Sequence, residues 1–320
     1  MRRGFVTLFA AMMLVASCGG DEEPLTGTAG DGSPSSNSTS TSVVSSSTNT
    51  TVGTIEDRVV CGQAFGAGLS TVECEELAFD VAVPEICLEG SCGVIVDVPG
   101  GVENGESAEQ HTGMQELGNA AGYVVVQPDN PGRWWDYPVD SVRMRSFLDQ
   151  LIEALDVDQN RVHIGGHSAG GYMAWFFVCD HADLIASAAP LGAGASTGED
   201  PSCDFDVPSH PSEEVDIFLA HGRNDSIAPF DTALAQRDLV VNAWDMDETE
   251  VLADEPTYRW TRWTSPQGTV FEFLEFDWSG GSLGGHCYPG ASAGVGCGSD
   301  TPVHYGEAAL DFYIAHPKDE

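Results

Sequence analysis

The chain has 320 residues, 50 of them acidic and only 12 basic, for a formal net charge of −38 at pH 7. A surface this negative repels nucleic acid and anionic lipid headgroups, so it excludes both as partners and favours a neutral substrate. The hydrophobic fraction of 42% is enough for one large buried core.

Arg2 and Arg3 precede an apolar stretch from Phe5 to Val15, too short to span a bilayer as a mature helix. Val15-Ala16-Ser17-Cys18 then looks like a bacterial lipobox. Residues 1–17 are expected to be removed as a lipoprotein signal peptide, with Cys18 lipidated. The product would be an exported cell-envelope lipoprotein, held at the outer membrane or cell surface. An ordinary signal peptide with an incidental cysteine is the alternative. Residues 18–54 are Ser, Thr, Gly, Asp and Asn with almost no large apolar side chain, so they cannot bury enough surface to fold. They read as a tether that holds a domain tens of ångströms from its anchor. Folding is expected to start near Thr54, with one catalytic domain over 55–320 and a cysteine-containing extension over 55–92.

Nine cysteines are many for this length. Lipidation of Cys18 leaves Cys61, Cys74, Cys87, Cys92, Cys179, Cys203, Cys287 and Cys297, an even number in an exported chain, so four disulfides are expected. Nearest-neighbour pairing (61–74, 87–92, 179–203, 287–297) is one of roughly a hundred connectivities that eight cysteines allow. No C-x-x-C pair is present, and no metal or organic cofactor is expected. Asp245, Asp247, Glu248 and Glu250 lack metal-loop spacing and read as a solvated face.

From Gly93 the pattern alternates strand and helix. Val94 to Val98 is a buried-strand run ending in Pro99-Gly100-Gly101. A helix is expected over Glu106 to Asn119, a strand over Tyr123 to Gln127, and a helix over Val139 to Leu155. Val162 to Ile164 forms the next strand, and an apolar helix begins at Ala169. Ala186 to Leu191, Val215 to Ala220 and Val270 to Phe276 read as strands. Ala233 to Trp244 and His304 to Ala315 read as helices. This alternation implies a mostly parallel sheet covered by helices on both faces, with active residues at the carboxyl ends of strands. Residues 55–92 fit an added β-rich cap or edge.

Between the Val162 strand and the Ala169 helix lies Gly166-His167-Ser168-Ala169-Gly170, a G-x-S-x-G nucleophile elbow. Small residues two before and two after the serine are needed because the turn is sharp and crowded. The helix behind presents its N-terminus to developing negative charge. A serine needs a histidine to take its proton and a carboxylate to orient that histidine, here in the chain order Ser, acid, His. Asp225, just past a strand end in His221-Gly222-Arg223-Asn224-Asp225, is the acid, with Asp231 in reserve. Among the downstream histidines, His304 and His316 flank the last helix, whereas His286 lies in a glycine-rich loop able to reach the serine. The Ala169 N–H and that of Gly100 or Gly101 are the expected oxyanion donors. Trp134 and Trp135, past a strand end, are expected to flank substrate, with Tyr288 beside His286.

These stretches resemble the extracellular esterase family of poly(3-hydroxybutyrate) depolymerases and feruloyl or acetylxylan esterases. The resemblance covers roughly 93–316 and rests on the elbow, the acid loop and Gly285-His286-Cys287-Tyr288-Pro289-Gly290. The last is similar to the family's Gly-Gly-His-Thr-Trp-Pro-Gly, while Val98-Pro99-Gly100 departs from its Leu-His-Gly. The resemblance implies an α/β-hydrolase fold and a serine esterase, acting on a hydroxyalkanoate polyester or its oligomers, or on feruloyl or acetyl esters of plant polysaccharide. An extracellular, polymeric ester is the expected partner, and a monomer is expected. A prolyl-oligopeptidase-like peptidase and a non-catalytic surface binding protein are the alternatives from other classes.

Overall fold

The computed structural model describes residues 58–318, apart from 65, 130–133 and 195–210. The expected signal peptide, Cys18, the expected tether and Cys203 lie outside the described residues. The chain begins with two short strands, β1 (Val59–Val60) and β2 (Gln63–Ala64), then β3 (Gly68–Cys74), β4 (Leu77–Val83) and β5 (Gly93–Val98). Helices α1 (Gly105–Thr112) and α2 (Met114–Ala120) lead to β6 (Tyr123–Asp129), α3 (Tyr137–Leu155), β7 (Val162–His167) and α4 (Ala169–Asp180). After β8 (Ser187–Leu191) come β9 (Asp216–Gly222), α5 (Phe230–Ala243), β10 (Asp247–Glu255), β11 (Tyr258–Thr264), β12 (Val270–Phe276) and α6 (Tyr305–Ala315).

Strands β3 to β12 form one sheet in the order β10-β11-β12-β9-β8-β7-β5-β6-β4-β3. Its centre, from β12 to β6, is parallel. Antiparallel pairs extend both edges, β4 and β3 on one side and β11 and β10 on the other. Parallel strands need helical crossovers, so both faces are covered and the strands read as continuous apolar runs. Strand β5 shows the consequence. Val94, Val96 and Val98 pack into one core with Met144, Phe147 and Met173 from α3 and α4. Ile95, between them, packs into the other with Met114 of α2 and Tyr305, Ala309 and Tyr313 of α6. Burying both faces makes hydrophobic transfer the main stabilising contribution, at about 25 cal/mol per Å² of apolar surface.

One expectation needs correction, and one strand was not anticipated. The helix expected over Glu106 to Asn119 is broken: α1 ends at a left-handed Gly113 (φ 62°), and α2 begins beside it. Glycine adopts this conformation without Cβ strain and ends helices there. The acidic run near residue 250 is an exposed edge strand, β10, that composition did not suggest, because Asp and Glu are poor strand formers. Pairing overrides that preference: Glu250 lies opposite Arg262 and Asp254 opposite Arg259, with side-chain contacts of 3.3 and 3.5 Å. Residues 58–92 supply the edge hairpin β3–β4, which pairs with β6.

Disulfides join Cys61 to Cys74, Cys87 to Cys92 and Cys287 to Cys297, as nearest-neighbour pairing anticipates. Cys179 is also disulfide-bonded; Cys203, its expected partner, lies outside the described residues. Such bonds persist in an oxidising compartment, which fits an exported protein.

The topology selects where a ligand would bind. From β5 the chain steps to β6 on one side, and from β6 it returns to β7 on the other. At such a switch point the loops leaving the two strands diverge and leave a crevice at their carboxyl ends. The loop after β5 and the elbow after β7 are those two loops.

Candidate active site

Ser168 sits between β7 and α4 with φ 55° and ψ −117°, a conformation a non-glycine residue adopts only when its surroundings enforce it. Here they do. The Ser168 N–H donates to the Leu191 carbonyl (2.8 Å) and the Ser168 carbonyl accepts from the Tyr172 N–H (3.0 Å). A Cβ on Gly170 would lie 2.0 Å from the Val98 carbonyl oxygen, and one on Gly166 2.4 Å from the same atom. The β5 backbone thus crosses the elbow at a distance only glycine permits. Ala169 opens α4, so its N–H is among the first four that have no partner within the helix.

The acid loop leaves β9 at Gly222. Asp225 Oδ1 accepts the Ile227 and Ala228 N–H groups, each at 2.8 Å, and Oδ2 accepts His286 Nδ1–H at 2.7 Å. The Asp225 side chain has no exposed surface. Burial alone would raise its pKa; His286 and the two backbone donors outweigh that and hold the carboxyl below its ordinary range. Because the carboxylate faces Nδ1, the proton of a neutral His286 belongs there, and Nε2 is left as the basic nitrogen. His221 lies beneath, its Nε2 3.5 Å from Asp225 Oδ2 and 2.9 Å from the Ala228 carbonyl.

The His286 loop is joined to the acid loop by backbone bonds. Gly285 N–H donates to the Asn224 carbonyl and Ser226 N–H to the Leu283 carbonyl, at 3.2 and 3.3 Å. The Cys287–Cys297 disulfide closes its far side. The His286 ring lies 4.6 Å from that of His167, the residue before Ser168. Thus the fold brings Ser168, Asp225 and His286 to one end of the sheet. His316 lies at the start of β9 instead, Nδ1 3.2 Å from Asp216 Oδ2, and His304 precedes the first turn of α6. Asp231 is in the first turn of α5. The ten-residue Cys287–Cys297 loop predicts a stability effect. Cys297→Ser should lower stability by roughly 2–3 kcal/mol through the freed unfolded chain. Denaturant melts of the two proteins measure this, and unchanged midpoints would show that the bond constrains nothing.

The structure corrects three expected roles. Gly100 cannot point its N–H at substrate, because that group donates to Glu103 Oε2 at 2.8 Å. Trp135 is largely buried, with its indole N–H donating to the Pro99 carbonyl at 3.2 Å, and offers only its edge to the groove beside Trp134. Tyr288 is also fully buried, stacked on His111 with ring centroids 4.5 Å apart. Trp134 alone of these aromatics faces outward, 62% exposed. Its ring lies where a Cβ on Gly101 would be, 2.5 Å from the nearest ring atom. A groove lined by Glu76, Trp134, Trp135, Tyr137, Pro138 and Arg143, among others, opens beside it.

Glu103 escaped the sequence reading. Its carboxylate gathers the Gly100 N–H, the Tyr288 hydroxyl (3.3 Å), His167 Nδ1 (3.9 Å) and His111 Nδ1 (4.0 Å). Burial pushes this carboxyl up, but His167, the Gly100 donor and His111 together hold it down at about 2. The one available signal was an acid two residues beyond a glycine pair at a strand end.

The model of the alpha/beta hydrolase family matches residues 98–312, most of the chain and all of these elements from the end of β5 into α6. A bifunctional acetylxylan esterase/xylanase of Neocallimastix patriciarum is 28% identical over 127 residues, covering 37% of this chain. The match spans 17% of that relative's length. Among solved structures, an acetyl xylan esterase from Aspergillus awamori superposes with a TM-score of 0.57 at 16% identity, covering 78% of this chain and 99% of its own. Esterase 2 of Thermogutta terrifontis gives 0.52 at 16% identity, covering 78% of this chain and 94% of its own. At such identities the superpositions speak for the fold.

Proposed function

The chain belongs to the alpha/beta hydrolase family, and on that premise we propose that it is a serine carboxylic ester hydrolase. The observation that carries the reading is Asp225, buried and bonded to His286, beside an elbow that holds Ser168 at positive φ. Ser168 Oγ attacks the ester carbonyl while His286 Nε2 takes its proton. Asp225 holds the ring and stabilises the imidazolium that forms. The Ala169 N–H, at the start of α4, and the Gly101 N–H receive the charge on the carbonyl oxygen. His286 returns the proton to the departing alcohol. Water then attacks the acyl-enzyme with His286 again as base, and Ser168 is regenerated.

The substrate reading is a small acyl ester on an extracellular polysaccharide, acetylated xylan first. Its support is the match to the acetylxylan esterase/xylanase, the net negative charge favouring a neutral polymer, and the open groove beside Trp134 that an extended chain could follow. The second reading, a hydroxyalkanoate polyester, is favoured by the likeness of the elbow and histidine loop to depolymerase motifs. The enzyme is further read as exported, lipidated at Cys18 and tethered through 18–54, on the strength of the lipobox and the disulfides. One experiment covers these points: cell fractions are assayed for release of acetate from acetylxylan and of hydroxy acid from a polyester film. Membrane-associated acetate release is expected, moving to the soluble fraction with Cys18→Ala. Polyester clearance without acetate release would reverse the order of substrates. Cleavage of peptides in preference to any ester would overturn the esterase reading.

A further inference from the structure

The turn after β5 is Pro99-Gly100-Gly101, and two adjacent glycines leave its backbone conformation under-determined by local preference. An oxyanion donor works only if its direction is fixed before charge develops. Something outside the glycine pair must therefore fix it. Glu103 does so twice: its own N–H donates to the Gly100 carbonyl (3.3 Å), and its Oε2 accepts the Gly100 N–H (2.8 Å). A peptide unit is planar and trans, so fixing the Gly100 carbonyl toward Glu103 directs the Gly101 N–H to the opposite side of the turn.

The same carboxylate reaches the other two loops. Tyr288, whose hydroxyl donates to Oε2 at 3.3 Å, is two residues after His286. His167, with Nδ1 3.9 Å from Oε2, directly precedes Ser168 and packs its ring against both Tyr288 and His286. His111, at the end of α1, adds a fourth contact and stacks on Tyr288. The oxyanion loop, the elbow and the histidine loop thus meet at one largely buried carboxylate, 14% exposed.

We propose that Glu103 is a positioning residue for the reaction, setting the oxyanion loop in register with Ser168 and His286. The inference rests on the esterase reading above. It differs from a purely structural role, which would lower stability without singling out the transition state. Because Glu103 holds the loop expected to receive the charge of the transition state, its loss should lower kcat and leave KM nearly unchanged.

The test uses the full chain and short-chain nitrophenyl esters, with thermal midpoints and the rate of Ser168 labelling by a fluorophosphonate measured in parallel. Glu103→Ala should lower kcat and labelling about 100-fold, the scale of losing one oxyanion donor, with KM within about threefold. Glu103→Gln keeps an oxygen that can accept the Gly100 N–H and should stay within about tenfold of wild type. Glu103→Asp keeps the charge but withdraws it by one methylene, and should fall below Gln. If the Ala variant does not fold, the order of Asp and Gln decides: Asp at or above Gln overturns the proposal. So does an Ala variant with more than half of wild-type kcat, or one whose loss lies in KM. Wild type that neither turns over esters nor labels would instead overturn the esterase reading, taking this inference with it.

Discussion

Ser168→Ala should abolish ester hydrolysis, with kcat falling roughly 10⁴- to 10⁶-fold, about 5–8 kcal/mol of transition-state stabilisation. The nucleophile's place is set by the crossing of β5 over the elbow, where the spacing admits only glycine two residues before and two residues after Ser168. Its positive φ lifts that one side chain out of the strand-to-helix turn. The substitution removes a single oxygen and leaves the Ser168 N–H bond to Leu191 and the packing of α4 in place. The folded protein should therefore keep its melting temperature. What survives should be the small rate enhancement that oxyanion donors and binding provide without a nucleophile. A variant with wild-type melting and more than a tenth of wild-type turnover would show that Ser168 is not the attacking group.

The second large effect is expected from Asp225→Asn, at roughly 10³- to 10⁴-fold in kcat. The amide oxygen can still accept the Ile227 and Ala228 N–H groups that shape the loop, so the backbone is retained. What changes is the atom facing His286 Nδ1 at 2.7 Å. An amide N–H there favours the tautomer with the proton on Nε2, and the base is no longer available to Ser168. The linkage is also readable. Asp225 titrates below its ordinary value in the folded protein. It therefore adds stability above the unfolded pKa, and that stability is lost as pH falls through the depressed one. The Asn variant should lack this acid-labile contribution, so its stability should fall less steeply on acidification. A loss below tenfold would mean that another carboxylate orients His286. Asp231 in the first turn of α5 would then be the next to replace.

The sequence by itself determined the parallel sheet and its helices, since strands buried on both faces and helices buried on one leave distinct apolar periods along the chain. β12 spans Val270–Phe276, as read from the sequence, and α3 begins two residues before the expected Val139. It also nominated Ser168, Asp225 and His286, because the elbow's small residues and the glycine-flanked histidine are local necessities of tight turns. Three disulfide pairs followed from short spacing in a cysteine-rich chain.

What the tertiary structure decided concerns groups whose partners are far away in sequence. Strand β10 exists because its backbone pairs with β11, where Arg259 and Arg262 stand opposite its acids, and no window of its own sequence carries that information. Trp134 and Trp135 are adjacent and chemically alike, yet one is exposed and the other is bonded to Pro99, because successive residues leave the backbone in different directions. Tyr288 looked like a binding residue beside His286 and proves to be buried, 185 positions from the Glu103 it donates to. Glu103 itself reads as one acid among 50. Only the convergence of the loops after β5, β7 and β12 gives it a Gly100 N–H to accept and the Tyr288 hydroxyl and His167 as neighbours. Local propensity and periodicity act within a few residues, whereas the direction of a side chain and the charge around it are set by whichever strands the sheet has brought together.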